Sequence, residues 1–180
     1  MKLLIASDIH GSAYYLKELM KAVDTEKPDK IILLGDLLYH GPRNDLPKEY
    51  NPKEVIDILN GIKDKLICVR GNCDTEVDQM VLSFPILSDY LTLFIDSATI
   101  YLSHGHIYNK ENPLLLSKGD IFINGHTHIP CNETHEGVSY LNPGSVSIPK
   151  ENSSHSYMIY ENKCFTWKDL SGKEYMKKEI

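Results

Sequence analysis

Five short apolar runs in this 180-residue chain stop, each within a few residues, at side chains that bind metals. Leu3-Leu4-Ile5-Ala6 leads to Asp8-Ile9-His10, and Ile31-Ile32-Leu33-Leu34 leads to Gly35-Asp36. Leu66-Ile67-Cys68-Val69 leads to Gly71-Asn72-Cys73-Asp74, residues 99–103 lead to His104-Gly105-His106, and Ile121-Phe122-Ile123 leads to Gly125-His126-Thr127-His128. Apolar runs of this length without polar alternation suit strands buried on both faces. In an open α/β sheet the carboxyl ends of such strands form one crevice, so groups far apart in sequence meet there.

The intervening segments read as helices in the front half of the chain. Ser12 can cap a helix with apolar positions at Leu16, Leu19, Met20 and Val23, ending before Pro28. Asn51 and Pro52 can open a second, which runs through Val55, Ile58 and Leu59 and stops at Gly61. After about residue 90 the pattern changes to hairpins: 91–95 with 99–103, 131–134 with 138–141, and 157–160 with 164–167. The expected fold is α/β, with two mixed β-sheets packed together and helices outside, in one domain over residues 1–180. Residues 40–52 are the longest expected loop before the hairpins.

A formal net charge of −6 argues against nonspecific nucleic-acid binding and against adhesion to anionic lipid. Any bound anion must be held by a local site. Asp8 interrupts the first apolar run too early for a signal peptide, and no run is long enough for a membrane helix. Cys68, Cys73, Cys131 and Cys164 show no CxxC pairing and are expected as reduced thiols in a cytoplasmic protein.

Oxygen and imidazole donors suit Mn²⁺, Fe or Zn²⁺ better than soft thiolate sites do. There are too many donors for one ion. Asp8, His10, Asp36 and His128 can hold one metal, and Asp36, Asn72, His104 and His126 a second, with Asp36 bridging. Two such ions can share a hydroxide and clamp the attacking and leaving oxygens of an in-line displacement at phosphorus. The ions outweigh the charge of Asp8, Asp36 and that hydroxide, so an anionic phosphoester is a more natural guest than a neutral carbonyl compound.

An Asp-x-His pair arises by chance in a chain of this length; five such clusters at five strand ends do not. Asn72 beside Gly could serve a turn, but its context favours a ligand. His106 fits support of a ligand or contact with substrate better than direct ligation, and Asp74 either caps the helix near Glu76 or orients the site. Arg43 and His40, in the long loop, are candidate substrate contacts, whereas Arg70 fits a structural ion pair. Asn142-Pro143-Gly144-Ser145 reads first as a turn, and His135 and His155 as exposed surface residues.

The Asp8–His10, Gly35-Asp36, Gly71–Asp74, His104 and Gly125–His128 motifs resemble those of the calcineurin-like metallophosphoesterase superfamily. Ser7–Ser12, His40–Asn44, Val69–Met80 and Asn142–Pro149 are similar to its YfcE-type bacterial phosphodiesterase branch. The resemblance implies a four-layer α/β/β/α sandwich and a dinuclear centre commonly loaded with Mn²⁺, with Zn²⁺, Fe or Ni²⁺ as alternatives. It also implies hydrolysis of a small phosphodiester, with Asp36, Asn72, Cys73 and His106 at the reacting centre, and points toward a homo-oligomer that the residue pattern leaves open. Many superfamily members carry His where this chain has Cys73; a thiol is a poor substitute for imidazole as proton donor, which favours diesters of acidic alcohols over alkyl monoesters. Two rival readings are a phosphomonoesterase or protein phosphatase, and a non-catalytic scaffold of the Vps29 type. Against the scaffold, every ligand position is filled.

Overall fold

The computed structural model describes residues 1–180. Strand β1 (Leu3–Ala6) pairs in parallel with β2 (Lys30–Leu33), and β2 with β3 (Leu66–Cys68). Helices α1 (Ala13–Glu26), between β1 and β2, and α2 (Pro52–Gly61), between β2 and β3, make the crossovers. Their starts follow the sequence reading: Ser12 Oγ accepts from the Tyr15 amide, and Asn51 Oδ1 accepts from that of Glu54. The short helix α3 (Glu76–Val81) is capped by Thr75, which exchanges hydrogen bonds with Asp78 in a capping box.

Six strands then follow in hairpins or parallel steps: β4 (Tyr90–Ile95), β5 (Ala98–Ser103), β6 (Ile121–Ile123), β7 (Cys131–His135), β8 (Val138–Asn142) and β9 (Ser156–Glu161). The chain ends in β10 (Cys164–Asp169) and β11 (Glu174–Glu179). One sheet has the order β11-β10-β9-β1-β2-β3, the other β4-β5-β6-β8-β7. Both are mixed. Each holds a parallel triplet, β1-β2-β3 in the first and β5-β6-β8 in the second.

Strand periodicity divides the core in two. Leu4, Ala6, Ile31 and Leu33 pack on one face with the helix residues Leu16, Leu19, Val55 and Leu59. Leu3, Ile5 and Ile32 point to the other face, where Ile100, Leu102, Ile123, Phe165 and Trp167 fill the space between the sheets. Trp167 also donates its Nε1–H to the Asn142 carbonyl at 2.6 Å, tying β10 to the end of β8.

The layer outside the second sheet contains no helix. Phe122, Val138 and Tyr140 are covered instead by Tyr108, Leu114 and Leu116 from an irregular segment over 105–118. Asn109 stabilises that irregularity: its Oδ1 accepts from the amides of Glu111 and Asn112, and its Nδ2 donates to Gly105 O. The edge strand β11 also escaped the sequence reading, because Glu-Tyr-Met-Lys-Lys-Glu commits only Met176 to the core. No helix is long and apolar enough to cross a membrane.

Two phenylalanines provide a direct test of the core assignment. Phe165 is fully buried whereas Phe94 is 81% exposed. Phe165→Ala should lose about 3–5 kcal/mol in urea titrations followed by Trp167 fluorescence, and Phe94→Ala less than about 0.5 kcal/mol.

Candidate metal centre

Asp8, His10, Asp36, His126 and His128 all adopt left-handed backbone conformations, with φ of 60°, 48°, 55°, 67° and 62°. Each costs about 1–3 kcal/mol for a non-glycine residue and persists only where its surroundings impose it. Here they do. The Asp8 carbonyl accepts from Ser145 Oγ at 3.0 Å, Ser147 Oγ at 2.9 Å and the Ser147 amide at 3.3 Å. The segment after β8 is thus a brace under Asp8 rather than a simple turn. Asn142 Nδ2 extends the brace to the Gly125 carbonyl at 2.8 Å and Thr127 Oγ1 at 3.1 Å.

Asp74 settles into the orienting role. Its buried carboxylate accepts from the amides of Asp36 (2.8 Å), Leu37 (2.9 Å) and Gly71 (2.7 Å), clamping the loops after β2 and β3 together. The approach is so close that a Cβ at Gly71 would overlap the Asp36 carboxylate and amide; likewise, one at Gly125 would overlap the Ser7 side chain. Only glycine fits.

Three imidazoles are then fixed by backbone carbonyls. Nδ1 of His10 meets Tyr39 O at 2.7 Å, that of His104 meets Leu34 O at 2.6 Å, and that of His128 meets Ile148 O at 2.7 Å. A carbonyl only accepts, so each Nδ1 carries the proton and each Nε2 faces inward. There His10 Nε2 and His128 Nε2 lie 3.2 Å apart, and Asp8 Oδ1 is 3.2 Å from His128 Nε2 with no hydrogen-bond donor of its own. Asp36 Oδ2 stands 3.6 Å from His10 Nε2 and 3.5 Å from His104 Nε2. His104 Nε2 in turn is 3.1 Å from Asn72 Oδ1 and 3.2 Å from His126 Nδ1.

Donors around a four-coordinate metal with bonds of about 2.0–2.2 Å stand about 3.3–3.6 Å apart, close to these separations. Three overlapping groups, Asp8/His10/His128, His10/Asp36/Cys73 and Asp8/Asp36/His104, each bring their donor atoms within 4.8 Å of one another. The donor set fits divalent cations. Electrostatics agrees: burial opposes ionisation of Asp8 and Asp36, yet the surrounding histidines hold both carboxyls below the usual range. Burial likewise opposes charge on His104, but Asp36 and Asp8 outweigh it and push the imidazole up to about 9.

All seven expected ligands therefore converge. Arg43 lines a cavity of about 480 Å³ at these donors, together with Cys73, Asn44, Thr127 and Lys150. His40 departs from its expected substrate contact: its ring is wedged between Tyr39 and Tyr50 and does not line the cavity. His106 also does not line the cavity; its ring lies 5.4 Å from that of His104 and 6.2 Å from that of His126. Cys73 donates its amide to Asp36 Oδ1 at 2.8 Å, and burial beside Asp36 raises its thiol pKa. Arg70 reaches Glu76 at 3.8 Å. His155 is not a bare surface residue; it stacks on Tyr15 at 3.9 Å and engages Val146 O, within the brace. Lys150 went unread because a lone lysine after a turn carries no pattern.

A family model for the calcineurin-like phosphoesterase superfamily domain matches residues 1–163. The chain belongs to that superfamily. It is 43% identical over 162 residues to the phosphodiesterase YfcE of Escherichia coli, covering 90% of this chain and 88% of YfcE. A solved structure of YfcE, a phosphoesterase, superposes over 100% of both chains with a TM-score of 0.97 at 39% identity. Vps29 of Entamoeba histolytica, solved with zinc, is similar with a TM-score of 0.63 over 98% of both chains. At 21% identity that likeness shows the shared fold alone.

In chelator-treated protein, NMR titration should find His104 protonated up to about pH 9. Its folded pKa lies above the ordinary 6.5, so its stabilising contribution is complete below 6.5 and is lost as pH rises through about 9. A divalent metal should abolish that titration; an unchanged curve with metal present would exclude His104 as a ligand.

Proposed function

We propose that the chain is a metal-dependent phosphodiesterase acting on a small phosphodiester at a centre of two divalent ions bridged by Asp36. The observation that carries this reading is the position of Asp36 Oδ2, nearly equidistant from His10 Nε2 and His104 Nε2, which belong to different donor groups. When bound, such a pair of ions would supply Lewis-acid charge and activate water for attack on phosphorus. Asp8, His10 and His128 would hold one ion, Asn72, His104 and His126 the other. The hard oxygen and nitrogen donors suit Mn²⁺, and Zn²⁺ or Fe also fit them.

The chain's other residues do the rest. Arg43 and Lys150 raise the local concentration of an anionic substrate and pair with its phosphoryl oxygens in the cavity. The Cys73 thiol, kept protonated by burial and Asp36, donates a proton poorly, so turnover favours esters whose alcohol leaves unaided. Alkyl monoesters, whose alkoxide needs protonation, are thereby disfavoured, and the 43% identity to a named phosphodiesterase supports the diester reading. Against a scaffold role stands the complete donor set, since strained ligands without a cation would be costly to keep. Four free cysteines fit the reducing cytoplasm.

Bis-p-nitrophenyl phosphate tests the reading directly. Hydrolysis should require added Mn²⁺, stop with chelator, and fall about a hundredfold or more in Asp36→Asn, with bound metal lost in parallel. Undiminished turnover by a metal-replete Asp36→Asn protein would contradict the bridging role.

A further inference from the structure

Immediately beside the metal cavity lies a second depression of different character. It encloses about 380 Å³, and seven of its ten lining residues are hydrophobic, against one of twelve in the metal cavity. Tyr39, Tyr50, Pro52, Ile56, Val77 and Val81 form most of its walls. Val77 and Val81 stand one helical turn apart on α3 and remain 68% and 45% exposed, although covering such a cluster would be favourable.

Cys73 lines both spaces. Its Sγ lies within 4.8 Å of donor atoms of His10 and Asp36, so a phosphoryl group at the metal centre has the apolar groove within reach of one ester arm. The groove presents no cation. Its one carboxylate, Asp78, is already engaged by the Thr75 amide at 2.7 Å and Thr75 Oγ1 at 2.9 Å. Arg43 and Lys150 belong to the other space. A charged arm therefore finds no partner in the groove, whereas a neutral apolar arm covers exposed carbon.

Resting on the phosphodiesterase reading, we infer that this groove is a specificity site for a neutral aromatic or alkyl ester arm of the substrate. Cys73 is the wall that the two spaces share. A thiol there, where an imidazole would present a polar edge, keeps the groove side of that wall apolar. Binding of the arm is remote from the reacting atoms, so it acts on affinity rather than on the chemical step.

Symmetric diesters test this without a choice of which arm leaves. Dimethyl and diphenyl phosphate carry the same anionic phosphoryl group and are compared as competitive inhibitors of methyl p-nitrophenyl phosphate hydrolysis by Mn²⁺-loaded protein. Diphenyl phosphate should show a Ki at least about tenfold lower than dimethyl phosphate. The double variant Val77→Ser, Val81→Ser should remove most of that ratio while leaving the Ki of dimethyl phosphate within about twofold, which reports an intact metal cavity. Equal Ki values in the wild type, or a ratio that survives the double substitution, would overturn the proposal. If neither protein turns over any diester, the phosphodiesterase reading fails instead. Calorimetric titration of diphenyl phosphate into both Mn²⁺-loaded proteins then decides the groove by itself: weaker binding to the variant supports it, and equal binding rejects it.

Discussion

Unshared electron pairs crowd the centre of this protein, and the surrounding structure holds them together. Nε2 of His10 and His128 face each other with Asp8 Oδ1 alongside, and Asp36 Oδ2 lies between His10 and His104. Such an arrangement needs positive charge within it. In metal-free protein, protons serve, which is why His104 is pushed up to about 9. Divalent cations serve better, because one ion satisfies several donors at once.

Topology explains how remote residues reach this point. Two parallel triplets, one in each sheet, end at the same rim: β1-β2-β3 delivers Asp8, His10, Asp36 and Asn72, and β5-β6 delivers His104, His126 and His128. Hydrogen bonds across the sheets lock the rim. His104 of the second sheet donates to Leu34 of the first, and the brace after β8 holds the Asp8 carbonyl. Left-handed backbone at five of the converging donors is therefore imposed from several directions, as expected where strain is concentrated at a functional site.

The converging donors were legible in the sequence because each follows a buried strand, and buried strands announce themselves by continuous apolar runs. Ser12, Asn51 and Pro52 were legible for a similar reason, since helix starts have few chemical solutions. What stayed hidden depends on tertiary contact. Asp74 sits where a cap was one reading, and only the fold shows its carboxylate taking three amides instead. His40 shares the loop of Arg43, yet packing between two tyrosines turns it from the cavity. The strand β11 and the helix-free outer layer lack hydrophobic periodicity, so their structure comes from edge pairing and from Asn109.

Metal content and position test the account most directly. Protein reconstituted with Mn²⁺ should contain two ions per chain by elemental analysis, and anomalous scattering should place them on either side of Asp36, one beside His10 and His128, the other beside His104 and His126. A single ion, no ion, or a pair that leaves Asp36 outside its coordination would contradict it.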